Sequence, residues 1–436
     1  MTNRVKSSNE IIEKLGIKQL NKMQLSALEA IRTKDEIMLL SPTGTGKTLA
    51  FLLPLIEQLD INCDEIQLLI LVPSRELAIQ INQVIRNMGS GFKTNAVYGG
   101  KSGSKDRMEL KHRPAILVGT AGRIADHIRR HTFSTEHIKT LVLDEFDKSL
   151  EIGFEKEMKL IVSALFAKEK TILTSATKGV EIPKFVGLNA PTTINFLNES
   201  TTKLETQVLL SPSKDKIVTL INLLTQLEGQ SGIVFCNYKD SIKRLSEYLS
   251  KNNLAHATYY GGLEQNEREK ALLMFRNGSH KIIIATDLAA RGIHVPDLNF
   301  IIHYQLPHRE EEFIHRNGRT ARMKSNGTAY IIQGNDECLP DFVKNAESFT
   351  LNKVEQKETK QWSTLYISAG KKDKISKGDV VGFILKEANL KPEDLGLIEI
   401  QENSCFIAVE SSKVESTANS LNLKKLKKTK VKVYPL

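Results

Sequence analysis

The chain has 436 residues, 40% hydrophobic and 26% charged, the balance of an ordinary globular protein long enough for two or three domains that each bury a core. No apolar run approaches a membrane span, Met1 to Glu10 carries no apolar signal core, and Cys63, Cys236, Cys338 and Cys405 stand far apart in no metal-ligand spacing. These features argue against a membrane-spanning, disulfide-stapled or zinc-built protein and predict free thiols in a reducing cytoplasm. With 61 basic against 51 acidic residues the formal net charge is +10, compatible with a polyanionic partner without requiring one.

In chain order, the apolar segment Ile37-Met38-Leu39-Leu40 runs into Ser41-Pro42-Thr43-Gly44-Thr45-Gly46-Lys47-Thr48 and then a helical stretch through Gln58. Strand, glycine-rich turn and helix form the setting of a phosphate loop. Gly44 and Gly46 let backbone N–H groups curl toward phosphate oxygens, Lys47 neutralises the β and γ phosphates, and the Thr48 hydroxyl ligates Mg²⁺. Ser41 stands where such a loop usually begins with glycine. Further short apolar runs alternate with amphipathic stretches: Ile66 to Val72, Thr94 to Tyr98, Ala115 to Val118, Thr140 to Leu143 and Thr171 to Leu173. This predicts a parallel sheet covered by helices on both faces.

At the end of Thr140 to Leu143 comes Asp144-Glu145-Phe146-Asp147. Alone, such a pair is more often a solvated turn or helix start; at the carboxyl edge of a buried strand it lies where open α/β sheets hold ligands. The polar stretch Asn198 to Lys216, broken by Pro212, predicts a domain boundary. A second alternating block follows, with strands expected at Gly232 to Phe235, Ala255 to Tyr259, Lys281 to Ile284, Phe300 to His303 and Thr328 to Ile332. It carries no phosphate loop after Phe235, so nucleotide belongs to the first block. Glu355 to Gln361 suits a linker. The tail then predicts strand Ser363 to Ser368, helix Lys377 to Glu387, strands Gly396 to Ile400 and Cys405 to Val409, helix Ser412 to Ser420 and strand Lys430 to Tyr434. This is the split βαβ plan of RNA-recognition domains.

Beyond the loop and the acids stand Pro73-Ser74-Arg75-Glu76-Leu77-Ala78, Gly99-Gly100, Thr120-Ala121-Gly122-Arg123, Ser175-Ala176-Thr177, Thr286-Asp287-Leu288-Ala289-Ala290-Arg291-Gly292 and His315-Arg316-Asn317-Gly318-Arg319-Thr320-Ala321-Arg322. In this order, from Gly16 to Arg322, the chain resembles the DEAD-box RNA helicases of superfamily two. The resemblance implies an α/β chain of two tandem RecA-like parallel-sheet domains, 1–203 and 204–355, followed by a small α+β RRM-like domain, 362–436. It implies ATP and Mg²⁺ as cofactors, with Asp144 holding the metal and Glu145 acting as general base on the attacking water. Arg319 and Arg322, three apart and so expected on one helical face, would reach the γ-phosphate. Ser175 and Thr177 would couple the acidic pair to RNA, Gln24 would recognise adenine, and Asp287 and Gly292 would complete the nucleotide site. The chain departs from the family at Ile17, where an aromatic is usual, and at Leu20-Asn21, where proline-threonine is usual, departures that bear on adenine stacking and ATP selectivity rather than on hydrolysis; at Phe146, where alanine is usual, altered packing rather than lost catalysis is expected.

The same resemblance places an RNA track on Arg75, Gly100, Thr120, Gly122, Arg123, Gly261, Gln265, Arg268 and Thr286, contacting backbone more than base edges. Leu365 to Lys374 resembles the start of the auxiliary domain of DbpA-type helicases. That implies large-subunit ribosomal RNA or its precursor as partner, contacted through basic loops around Lys371 and Lys425; Tyr366 and Phe406 could equally be core residues or base-stacking ones. The expectation is a cytoplasmic, monomeric, ATP-dependent RNA helicase that opens short duplexes locally. The alternatives are an ATP-gated RNA clamp without productive unwinding and a DNA helicase.

Overall fold

The computed structural model describes residues 5–100, 103–178, 181–197, 204–287, 298–320, 327–343, 346–351 and 361–436. Gly292, Arg322 and the expected linker up to residue 360 lie outside them. Contacts divide the chain into two compact units, the second starting at Lys203.

The first unit is built on β1 (Glu36–Leu40), β2 (Leu68–Val72), β3 (Thr94–Val97), β4 (Ile116–Thr120), β5 (Thr140–Leu143), β6 (Lys170–Ser175) and β7 (Thr192–Asn195). Every pairing is parallel, in the order β3-β4-β2-β5-β6-β1-β7. Strand β2 shows why these segments read as unbroken apolar runs. Leu68, Ile70 and Val72 point into one core with Leu49, Leu53 and Ile81, while Leu69 and Leu71 point into another with Ile124, Phe146 and Ile161. Period-two alternation thus feeds two helix layers at once. Because β5, β6 and β1 are successive neighbours, the loops leaving their carboxyl ends share one stretch of sheet edge.

The second unit opens with a matching sheet: β8 (Leu204–Leu210), β9 (Gly232–Phe235), β10 (His256–Tyr259), β11 (Ile282–Ala285), β12 (Phe300–His303), β13 (Gly327–Gln333) and β14 (Glu347–Ser348), in the order β10-β11-β9-β12-β13-β8-β14. Strand β8 lies inside the stretch that sequence assigned to a boundary. Its residues are mostly half-exposed, with Leu209 alone deeply buried, so it has no apolar signal; pairing with β13 and β14 defines it. At Gly232 any side chain would strike the Phe300 ring 2.2 Å away, so close strand packing explains that glycine.

The tail forms an antiparallel sheet of β15 (Trp362–Ile367), β16 (Leu395–Ile400), β17 (Cys405–Glu410) and, after the short pair β18 (Lys425–Leu426) and β19 (Thr429–Lys430), β20 (Val433–Pro435), in the order β16-β17-β15-β20. Helices Lys377–Ala388 and Val414–Leu421 supply Val380, Ile384, Ala418 and Leu421 to a core with Leu365, Ile367, Ile407 and Val433. The expected single strand Lys430 to Tyr434 is instead a hairpin arm followed by an edge strand. Lys427, at φ 54°, turns the chain back on itself, and Val431 and Val433 are drawn into the core. Among the described residues no helix is long and apolar enough to cross a membrane.

Candidate nucleotide and RNA site

The loop after β1 passes through Gly44 at φ 83° and Gly46 at φ 88° before helix Lys47–Glu57 begins. Both conformations are left-handed and favour glycine. Lys47 is buried and folds back on the loop, its Nζ donating to Ser41 O at 2.6 Å and Pro42 O at 2.9 Å. The Ser41 and Thr45 hydroxyls share a hydrogen bond of 2.8 Å, and Thr45 Oγ1 donates to Pro42 O at 2.9 Å. Ser41 thus braces the loop at the position where glycine is usual.

Gln24 lies against this loop: a Cβ on Gly46 would sit 2.5 Å from its Nε2. Its amide is engaged at both ends, Nε2 donating to Gly46 O at 3.4 Å and Oε1 accepting from Asn21 N at 3.0 Å. Asn21 caps helix Lys22–Thr33 through its side chain and also donates from Nδ2 to Thr45 O at 3.0 Å. The amide at the departure from the family pattern therefore both caps the helix, as a threonine there could, and ties it to the phosphate loop. Ile17 packs on the edge of the first core.

On the neighbouring strands, Asp144 is 3% exposed and Glu145 adopts φ 48°, ψ 50°, left-handed and strained for a residue with a Cβ. Thr174 holds both: its Oγ1 donates to Asp144 Oδ1 at 2.5 Å and accepts from Glu145 N at 3.1 Å. Burial, and then the adjacent Glu145, push the Asp144 carboxyl up to about 6, opposed by Thr174, Lys47 and the Glu145 backbone. Such a carboxylate gains from a cation brought beside it. Phe146 is fully buried in the second core, which accounts for its departure from alanine as packing.

Of the two hydroxyls expected to couple the acids, Thr177 donates to Asp147 Oδ2 at 3.1 Å, while Ser175 donates to Thr177 O at 3.0 Å and accepts from Thr177 N at 3.1 Å. The Ser175 carbonyl also accepts from Ser41 N at 3.1 Å. One short segment therefore touches both the phosphate loop and the acidic quartet. Thr174 and Asp147 received no role from the sequence, although a threonine inside an otherwise apolar buried strand was a usable signal.

Among the track residues of the first unit, Arg75 begins helix Arg75–Met88 and lies over Gly100, whose Cβ would come 2.5 Å from Arg75 Nη1. Thr120 stands at the N-terminus of helix Ala121–Arg129, and the space beside Gly122 is open to 4 Å. Arg123 is ion-paired at 2.8 Å with Asp106, itself fully buried beside His127. It therefore ties helix Ala121–Arg129 to helix Gly103–Leu110 as well as adding charge.

In the second unit, Arg268 Nη2 donates to Gly261 O at 2.8 Å, Gln265 begins helix Gln265–Arg276, and Thr286 follows β11. Asp287 meets a partner that sequence left without a role. Arg316, 1% exposed, grips it through Nε at 2.6 Å and Nη2 at 2.5 Å, donates to Gln305 O and Asn237 Oδ1 at 2.6 and 2.7 Å, and lies over the Phe235 ring. Arg322, expected to share a helical face with Arg319, lies outside the described residues, and Arg319 itself is not in the helix. Helix Glu310–Asn317 ends at Gly318, and Thr320 then bridges to Leu298, so Arg319 sits on a buried turn rather than on the helix. Lys371 and Lys425 are both exposed.

The DEAD/DEAH box helicase family model matches residues 21–184, the helicase conserved C-terminal domain 215–324 and the DbpA RNA binding domain 364–435. ATP-dependent RNA helicase DbpA of Bacillus subtilis (strain 168) is 30% identical over 439 residues, covering 92% of this chain and 91% of that protein. The protein of the same name from Escherichia coli (strain K12) is 31% identical over 430 residues, covering 95% and 94%. Among solved structures, S. cerevisiae Dbp5 bound to RNA and ADP BeF3 superposes with a TM-score of 0.67 at 25% identity, over 76% of this chain and 87% of that one.

Proposed function

The chain belongs to the DEAD-box family of ATP-dependent RNA helicases and carries that family's DbpA-type RNA-binding domain, and from this premise we propose that it opens short RNA duplexes locally, with ATP and RNA together closing the two motor sheets and hydrolysis resetting them. The observation that carries this reading is the shared sheet edge of β1, β6 and β5, which brings Lys47, Thr177 and the Asp144–Glu145 pair to one place.

Phosphoryl transfer to water asks for positioning and charge neutralisation more than for covalent chemistry. The loop from Ser41 to Thr48 cradles the phosphates, and Lys47 exchanges its backbone carbonyl partners for phosphate oxygens. Thr48 and Asp144 would hold a magnesium ion accompanying ATP, which would supply charge neutralisation there. Glu145, set by its left-handed backbone and by Thr174, takes the proton of the attacking water. Arg319 and Arg322 come from the second sheet to the developing charge, and Asp287 and Gly292 complete the nucleotide site. Gln24 reads adenine by giving up its contacts to Asn21 and the loop.

Arg75, Gly100, Thr120, Gly122 and Arg123, with Gly261, Gln265, Arg268 and Thr286, form the RNA track. The tail adds phosphate contacts through Lys371 and Lys425 and directs the enzyme to large-subunit ribosomal RNA or its precursor, as a cytoplasmic monomer. RNA-stimulated ATPase and strand-separation assays test the proposal, with large-subunit fragments, unrelated RNA and DNA of equal sequence compared side by side. Glu145→Gln should retain ATP and RNA while hydrolysis falls at least a hundredfold. Turnover indifferent to RNA would sink the helicase reading, and equal stimulation by unrelated RNA would sink the ribosomal one.

A further inference from the structure

Alternation along the tail's strands sends Leu365, Ile367, Cys405, Ile407 and Val433 to the helix-covered core. Thr364, Tyr366, Phe406 and Tyr434 consequently stand on the opposite face of the sheet. Half of that face is covered within the second unit. Thr364 is fully buried, accepting from Asn277 Nδ2 at 2.9 Å and sharing a 2.5 Å hydrogen bond with Ser279, while Arg276 lies 3.6 Å from Glu399. One pleat further on, Phe406, Tyr366 and Tyr434 are direct cross-strand neighbours.

Their rings form a column. Tyr366 meets Phe406 edge-on at 5.4 Å and stacks on Tyr434 at 4.6 Å with the planes 27° apart. Tyr434 is 46% exposed and lies on β20, which among the described residues is the edge strand of its sheet. One face of its ring rests on Tyr366, and the sheet supplies nothing to cover the other. Lys432, two residues earlier and just ahead of β20, is exposed; its N–H donates to Ser368 Oγ at 2.7 Å, which fixes the backbone there. Edge strands are ordinarily blunted by charge or proline. This one carries Pro435 and, ahead of it, offers a flat aromatic face with a cation beside it, on the segment that also carries Lys425, Lys428 and Lys430. Those are the two elements of sequence-tolerant single-strand recognition: a ring for a base and a positive charge for its phosphate.

We propose that Tyr434, backed by Tyr366 and Phe406, is a stacking site for one unpaired RNA base, which joins the aromatic column as its next member while Lys432 takes the adjoining phosphate. This rests on the RNA-binding reading above but assigns a contact to the edge strand, apart from the basic loops at Lys371 and Lys425. Burial of Thr364 against Asn277 and Ser279, just past helix Gln265–Arg276, limits the platform to the outer end of the face, so it holds a short unpaired segment rather than a long strand.

The test irradiates the full chain, without nucleotide, in the presence of a single-stranded RNA bearing 5-iodouridine and maps the adduct by mass spectrometry. An adduct on Tyr434 is expected, lost in Tyr434→Ala and kept in Tyr434→Phe, which preserves the ring and reports on folding. Affinity for the same RNA should fall about tenfold in Tyr434→Ala, within the range of one base–aromatic stack, and Lys432→Ala should reduce the salt dependence of binding by about one phosphate contact. In the RNA-stimulated ATPase, Tyr434→Ala should raise the half-saturating RNA concentration and leave kcat unchanged. Wild-type affinity in Tyr434→Ala with no adduct at residue 434 overturns the proposal and leaves the column as a protein-docking face. Because crosslinking needs no hydrolysis, a wild-type chain whose ATPase ignores RNA would refute the helicase reading while the stacking site is still scored.

Discussion

Thr177 Oγ1 donates to Asp147 Oδ2 at 3.1 Å, with both side chains buried. This single bond joins the segment after β6 to the last acid of the quartet after β5. Thr177→Ala leaves a buried carboxylate short of a partner, at a cost of about 1–3 kcal/mol, and frees the segment that also contacts Ser41. Lower thermal stability and a fall in duplexes opened per ATP consumed are expected; Thr177→Ser should restore both.

Phe146 stands where the family usually has alanine, yet Phe146→Ala should not improve the enzyme. The ring is fully buried beside Leu143, Ile161 and Val186, so truncation leaves a cavity worth about 3–5 kcal/mol. Denaturant unfolding should show that loss, while ATPase per folded molecule stays within a few-fold of wild type because Asp144 and Glu145 are kept.

Arg316 and Asp287 make a bidentate pair with the arginine at 1% side-chain exposure. Removing one member of such a pair costs about 3–5 kcal/mol because the other charge is stranded. Arg316→Ala is expected to melt the second unit early. Arg316→Lys should rescue it poorly, since an ammonium cannot reproduce the fork that reaches Asp287, Gln305 and Asn237 together. Thermal denaturation followed by hydrogen exchange locates the loss.

A buried histidine, His303, and a half-buried one, His280, set an acid limit on the second unit. Burial, with Arg316 adding to it, drives His303 down to about 3, and burial, with His256 and Lys270 adding to it, drives His280 down to about 4. Below the ordinary histidine value of about 6.5 the unfolded chain binds protons that the folded one refuses. Stability therefore declines as pH falls from about 6.5 toward these values, by at most about 1.4 kcal/mol per pH unit for each histidine. Chemical denaturation at pH 7 and pH 5 should show this loss, and His303→Phe should reduce the pH slope while retaining the stack on Phe313.

What the sequence determined by itself was everything that local pattern encodes. The apolar runs that became β1, β2 and β5 were legible because strands buried on both faces leave no polar positions, and the turn at Gly44 and Gly46 was legible because only glycine adopts those angles cheaply. Tertiary structure decided what depends on partners distant in sequence. Strand β8 is defined by its pairing with β13 and β14, since its own residues are half-exposed. Thr174 matters because β6 lies beside β5. Arg316 becomes the centre of its site only when Phe235, Asn237, Asp287 and Gln305 converge on it, and Arg319 leaves the helix because Thr320 is drawn to Leu298. The aromatic column of Phe406, Tyr366 and Tyr434 exists through antiparallel register: side-chain period told which face each residue takes, but only the pairing of β17, β15 and β20 put the three rings in one row.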